Sequence, residues 1–420
     1  MKVFKFGGAS VKDNPSVRNI ASILKRYSED LVVVISAMGK TTNALERVLH
    51  AYMSGDRALA LSELNAIRGY HLEIARALIP QEGHALFEEL DNIFSGLEKR
   101  IEGIPAGSYN QEYDQIVSIG EIISTVIVSN YLNYEGVINE WTDARHFLKT
   151  DGTFREARVE WDMSDRLIKE RFGFKKTHLY ITQGFIGSTV NNFTTTLGRE
   201  GSDYTAAILA YVLSAESVTV WKDVPGVLNA DPKWFDETVK LEKISYMDAI
   251  ELAYYGASVI HPKTIQPLKN KSIRLFVKSF VHPDDSGTVI GENDYEKLVP
   301  SFIFKMDQVL IHIYPVDFSF IAEDNLEKIF QCFAGYGLKI NLMQNSAVSF
   351  DICVNNDRSR IPGVLADLEK DFRVSSTVGL ELINIRYYDD ATIDRVLVNK
   401  DLLLTQRTKS TIQMVVRDLG

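Results

Sequence analysis

The run Thr194-Thr195-Thr196-Leu197-Gly198-Arg199-Glu200-Gly201-Ser202-Asp203-Tyr204 gathers residue types that hold an anion close to a polypeptide. Its two glycines permit a positive φ and close approach of the backbone to a ligand. Ser202 and Asp203 are expected as N-cap residues of the apolar segment that follows, TAAILAYVLSAE, and free N–H groups at a helix start attract negative charge. Arg199 adds a planar fork that fits a carboxylate or a phosphate. A second glycine turn, Gly7-Gly8, stands at the beginning of the chain with Lys5 just before it. A lysine at a strand end, beside glycine amides, suits phosphoryl oxygens and the charge that phosphoryl transfer must hold. The string Gly39-Lys40-Thr41 resembles the tail of a P-loop, but Val34 stands where the loop's first glycine is needed, so that motif is rejected.

The elements around these loops alternate. Residues 2–6 (KVFKF) and 30–37 (DLVVVISA) read as strands, and the second is apolar throughout, as in a parallel sheet covered on both faces. Between them, Val17, Ile20, Ala21 and Leu24 form the stripe of a helix with Pro15 in its first turn. From 44 to 132 the pattern is almost wholly helical, which predicts a lid or an insertion. Strands return at 136–142, 178–187, 217–223 and 273–280. This alternation predicts a three-layer α/β domain with a mainly parallel sheet, whose loops at the carboxyl ends of the strands meet in one crevice. The turn-rich, charged stretch 281–300 predicts a boundary between a domain of residues 1–290 and a region of residues 300–420. The latter reads as a small βαββαβ unit followed by an incomplete second one.

A chain of 420 residues is too long for one core, and a net charge of −10 with no basic block argues against nucleic-acid binding. The two cysteines, Cys332 and Cys353, lie in apolar runs and read as buried free thiols. With no signal-peptide pattern at the start and no apolar stretch expected to span a membrane, the chain reads as a cytoplasmic protein.

KFGGAS at the start, SAMGKTTN (36–43), SIGE (118–121), QGFIG (183–187), TTLGREGSDYTAA (195–207), WKDVPGVLNADP (221–232) and YGASVIHP (255–262) together resemble the aspartate kinases of the amino-acid kinase superfamily, in order and in spacing. The resemblance covers nearly the whole chain and likens its C-terminal segment to an ACT regulatory region. It implies transfer of a phosphoryl group from ATP, with Mg2+ carried mainly on the nucleotide phosphates, to the β-carboxylate of L-aspartate. Catalysis would fall to Lys5 and Asp203. Thr42, Glu121, Phe185, Arg199 and Ser202 would hold aspartate, with Glu121 on its ammonium group. Gly7, Gly8, Lys222, Asp223, Leu228, Lys233 and Ser258 would meet the nucleotide, with Asp231 in the same loop. A homodimer is implied.

The chain departs from the family pattern chiefly on the nucleotide side. Lys222 replaces a threonine, Leu228 a tyrosine, Lys233 an arginine and Ser258 a lysine expected on the nucleotide phosphates. These changes carry an alternative reading, an amino-acid sensor that binds aspartate or an effector without efficient turnover. In the ACT-like region Asn341 and Ala347 stand where lysine-sensitive members are acidic, so lysine feedback is not expected. Asn341, Asn345 and Ser346 are the candidates for binding another amino acid.

Overall fold

The computed structural model describes residues 1–235, 237–257, 260–292, 299–317 and 320–420. Two compact units divide the chain. The first comprises Met1–Val227, Glu242–Ile250 and Val259–Asp294; the second comprises Leu228–Leu241, Glu251–Ser258 and Tyr295–Gly420.

The first unit runs β1 (Lys2–Phe6), α1 (Asn14–Leu24), β2 (Leu31–Ile35), α2 (Thr41–Met53), α3 (Arg57–Leu78), α4 (Ala85–Glu102), α5 (Tyr109–Val117) and α6 (Ile119–Tyr134). It continues with β3 (Glu140–Thr142), α7 (Ala144–Phe147), α8 (Trp161–Arg171), β4 (Leu179–Gln183), β5 (Ile186–Ser188), β6 (Thr194–Thr196) and α9 (Gly201–Leu213). After β7 (Ser217–Lys222) come β8 (Lys243–Ser245), α10 (Tyr246–Tyr255, of which the residues from Glu251 on are counted with the second unit), α11 (Pro262–Asn270), β9 (Arg274–Ser279) and β10 (Thr288–Gly291). Eight strands form one sheet in the order β3-β4-β2-β1-β7-β9-β10-β8. It is parallel except where β10 runs against β9.

β2 is buried along its whole length, as its unbroken Leu-Val-Val-Val-Ile run requires of a strand covered on both faces. Phe6 stacks on Trp221 at 5.9 Å and so locks β1 to β7. Asp13 caps α1 by accepting the N–H of Ser16 at 2.8 Å, and Pro15 lies in the first turn.

Four sequence expectations are corrected. The segment 178–187 is two strands, because the chain breaks at Gly184-Phe185 and β5 leaves the main sheet to pair with β6. Residues 281–300 are not only a boundary, since β10 adds a strand to the main sheet. The block 44–132 is helical as expected, but it is not wholly a lid or an insertion: α6 packs on β2, β3 and β4 and is apolar around nearly its whole circumference. One run, Tyr109–Tyr134, is long and apolar enough to cross a membrane (26 residues, mean hydropathy 1.3), but 83% of its most apolar window is buried inside the protein.

The second unit carries β11 (Ser301–Pro315), α12 (Glu323–Gly335), β12 (Ile340–Asn345), β13 (Phe350–Asn355), α13 (Ile361–Leu368), β14 (Phe372–Arg386), α14 (Asp390–Val396), β15 (Lys400–Arg407) and β16 (Thr411–Asp418). They form one six-stranded sheet, β12-β13-β11-β14-β16-β15. The strands β11 and β14 run through two lobes. Residues 308–315 of β11 pair with β13 and with the first half of β14, which completes a βαββαβ lobe. Residues 301–305 pair with the second half of β14, which also pairs with β16. That second lobe has α14 as its one helix among the described residues, with the capping box of Asp389 and Thr392 at its start. Cys353 is buried and Cys332 only half-buried; both are free thiols.

Candidate active site

Lys5 is the next-to-last residue of β1, at the carboxyl edge of the sheet where open α/β folds bind ligands. Three glycine contacts bring loops to it. A Cβ on Gly8 would lie 2.8 Å from the carbonyl oxygen of Ala37, so only glycine allows the two turns to touch; Gly39 N–H donates to the Gly8 carbonyl at 3.0 Å. A Cβ on Gly184 would lie 2.4 Å from Ser202 Cβ, and one on Gly201 would lie 2.8 Å from the Phe185 ring. The start of α9 is therefore pressed flush against the Gly184-Phe185 break. Phe185 takes a φ of 68°, donates its N–H to the Thr205 hydroxyl at 3.1 Å and accepts the Leu197 N–H at 2.9 Å.

The cap of α9 differs from the sequence expectation. Glu200, in the left-handed region with φ 54°, occupies the N-cap position with no side-chain cap. Ser202 and Asp203 lie within the first turn, where Asp203 is free to face Lys5. Lys5 Nζ and Asp203 Oδ1 are 2.6 Å apart, and Asp203 is buried. Negative charge in the first helical turn is also favoured by the helix dipole.

A cavity of 850 Å³ opens here, lined by Lys5, Thr42, Glu121, Phe185, Arg199, Ser202, Asp203 and Lys222 among others. The structure thus brings together all the sequence-predicted catalytic and acceptor residues. Glu121, in the first turn of α6, is buried; Oε1 accepts the Ala37 N–H at 3.3 Å. Removal from water pushes its carboxyl up to about 8, against the backbone hydrogen bonds and the Lys5 charge, which pull it down.

The predicted nucleotide residues are more dispersed. A Cβ on Gly7 would lie 3.4 Å from Lys5 Nζ, so the amine rests over that turn. Asp223 is exposed and does not line the cavity. Leu228 and Lys233 belong to the second unit, where Leu228 bridges to Lys240 and the exposed Lys233 donates its N–H to Asp231 at 2.9 Å. Ser258 lies outside the described residues. Three lysines could stand in for the one missing there: Lys222 lines the active-site cavity, Lys263 lines a separate cavity, and Lys278 Nζ sits 5.5 Å from the Trp221 ring centroid.

Among the candidate effector residues, Asn341 is buried with its amide fully engaged. Its nitrogen donates to Gln308 and to Asn355, both at 2.8 Å, and its oxygen accepts from Lys305 at 2.9 Å. Asn345 and Ser346 are exposed beyond the end of that network, and Ser346 pairs with Ser349 at 2.7 Å.

Sequence reasoning missed the wall formed by Asn110, Tyr113 and residues 153–156, which also line the cavity. Asp114 organises it. This buried carboxylate accepts the N–H of Arg155 (3.0 Å), the N–H of Thr196 (2.9 Å) and the Thr196 hydroxyl (2.7 Å). Burial raises its carboxyl to about 6 despite those donors. The signal in the sequence was slight: an aspartate on a helical segment and a turn-rich TDGT.

Residues 1–279 match the model of the amino acid kinase family. Lysine-sensitive aspartokinase 3 of Escherichia coli is 29% identical over 91% of this chain and 86% of its own length. A bifunctional aspartokinase/homoserine dehydrogenase of Arabidopsis thaliana is 30% identical over 90% of this chain, which spans only 42% of that longer protein. The structure of E. coli aspartokinase III in complex with aspartate and ADP matches with a TM-score of 0.84 at 27% identity, covering 99% of this chain and 96% of that one. From its motifs, its parallel sheet and these likenesses, the chain belongs to the amino acid kinase family, among the aspartate kinases.

Proposed function

We propose that the chain transfers the γ-phosphoryl group of ATP to the β-carboxylate of L-aspartate, giving 4-phospho-L-aspartate and ADP. The observation that carries this reading is the Lys5–Asp203 ion pair, set in the same cavity as Glu121 and Arg199. A carboxylate oxygen forms the new bond to phosphorus, and the bond from phosphorus to the bridging oxygen breaks with its electron pair leaving on ADP. The β-carboxylate is already ionised at neutral pH, so no general base is required. What the protein must do is hold two anions together and screen their repulsion.

Lys5 meets the transferring phosphoryl group, and Asp203 keeps the lysine extended toward it rather than into solvent. Arg199 holds a carboxylate of the acceptor as a fork, and Glu121 receives its ammonium group. Mg2+ would arrive on the nucleotide phosphates. There the ion would neutralise charge on the phosphates.

Purified protein with aspartate, MgATP and hydroxylamine is expected to form aspartyl hydroxamate. Product no greater than that of a Lys5→Ala control would overturn the reading. The sensor alternative predicts aspartate binding without MgATP binding, and calorimetry with each ligand separates the two.

A further inference from the structure

Arg155 stands in a conformation that a side-chain-bearing residue rarely adopts, with φ 71°. Three contacts keep it there. Its N–H donates to both oxygens of Asp114, at 3.0 and 3.2 Å. Its guanidinium lies 4.4 Å from the centroid of the Tyr113 ring, a cation–π distance. Its carbonyl oxygen would be 3.2 Å from a Cβ on Gly198, so the backbones at 155 and 198 are in contact. The same Asp114 that binds Arg155 also binds Thr196, three residues before Arg199. One buried carboxylate therefore fixes the two chain segments from which Arg155 and Arg199 project, and both residues line the 850 Å³ cavity. Neither guanidinium forms an ion pair with a carboxylate among the described residues. Both arginines line this cavity, and an anion there that accepts from both guanidinium groups gains two charge-assisted contacts.

We propose that Arg155 is a specificity-determining residue that grips the α-carboxylate of the acceptor together with Arg199. This rests on the aspartate kinase reading. The carboxylate that accepts the phosphoryl group must lie against Lys5, which leaves the other carboxylate of the substrate for the paired guanidinium groups. Asp114 is a positioning residue for both. An acceptor with an ammonium group and a single carboxylate would leave this pair of cations unmatched.

Arg155→Gly is the informative variant, because glycine takes φ 71° without strain and keeps the N–H that Asp114 accepts. Calorimetry on the full-length wild-type and variant proteins would use L-aspartate and its α-amide, which keeps the β-carboxylate and the ammonium group. Wild type is expected to bind the α-amide at least about 30-fold more weakly than aspartate, and R155G to bind aspartate about tenfold more weakly than wild type does. R155G should also discriminate the two ligands several-fold less than wild type, a change that a merely structural arginine would not produce. Arg155→Lys should fall between. Equal aspartate affinity in wild type and R155G, or equal discrimination of the α-amide by both, would overturn the inference while leaving the kinase reading intact. A wild-type protein that binds no aspartate would overturn both.

Discussion

Glu121 Oε1 accepts a hydrogen bond from the Ala37 N–H at 3.3 Å, while Oε2 is buried and has no hydrogen-bond partner among the described residues. A carboxyl group this buried and with so few donors ionises readily only when a cation is brought beside it. Its carboxyl, at about 8, is largely protonated at pH 7 in the free protein, and an ammonium group arriving beside it favours the ionised form. Aspartate binding should therefore release a proton. Calorimetry at pH 7 in buffers of different ionisation enthalpy is expected to show release of close to one proton, and KM for aspartate should fall as pH rises from about 6.5 toward 8.

The same group affects stability with a definite sign. Its folded value lies above the ordinary 4.5, so the folded state holds the proton more tightly and stability declines as pH rises through the window from 4.5 to about 8. Glu121→Gln removes that dependence. Its melting temperature relative to wild type should be higher at pH 8.5 than at pH 4.5, while aspartate affinity falls by about two orders of magnitude. A variant whose pH–stability profile matched wild type would contradict the assignment.

Asp203→Asn keeps the size of the side chain but removes the charge opposite Lys5. kcat should fall about 10²- to 10³-fold with KM for aspartate changed only slightly, as expected for a group acting through charge in the transition state. Lys5→Ala should fall at least as far, and the double variant should lose little more than the worse single one, because the two act as a unit. Steady-state kinetics on the three variants checks this.

Gly184→Ala tests the close approach at the start of α9. The new Cβ has nowhere to go, since Ser202 Cβ would be 2.4 Å away, so the helix must move by most of an ångström. A loss of about 1–3 kcal/mol in stability is expected from overpacking, with kcat reduced because Asp203 moves with the helix. Chemical denaturation and kinetics on one preparation measure both.

How much of this was legible in the residues depends on whether the information was local. The loops carried by Gly7-Gly8 and by Gly198–Asp203 could be read, because glycine, arginine and a following apolar helix pattern declare an anion site by themselves. The break at Gly184-Phe185 could not be read, for HLYITQGFIG is uniformly apolar and the interruption comes from Ser202, eighteen residues later. Asp114 was hidden for a related reason. Its partners, Arg155 and Thr196, are 41 and 82 residues away, and nothing near it in the chain marks a buried carboxylate. The expected cap at Ser202–Asp203 failed because a left-handed Glu200 turns the chain into α9 and leaves Asp203 free for Lys5. Asn341 stood out by residue type, while the network that consumes its amide runs through Gln308, Asn355 and Lys305 on other strands.

The shared strands β11 and β14 carry a consequence for cooperativity. Each lobe of the C-terminal sheet takes one half of each strand and pairs the two halves with each other, so the lobes are joined by two continuous backbones rather than by hydrogen bonds exchanged between them. A chain cut after Gly379 would strip residues 301–305 of their partners on β14 and expose an open edge that invites association with other chains. Leu310, Leu342 and Cys353 of one lobe pack in one apolar cluster with Leu382 and Val415 of the other, so the two lobes should lose hydrogen-exchange protection together although each also has its own cluster. The pairing of β11 with β14 is irregular where the lobes meet, between Lys305 and Leu310, and Asp307 and Gly379 take positive φ there, so a change in one lobe must cross a bent stretch of strand to reach the other.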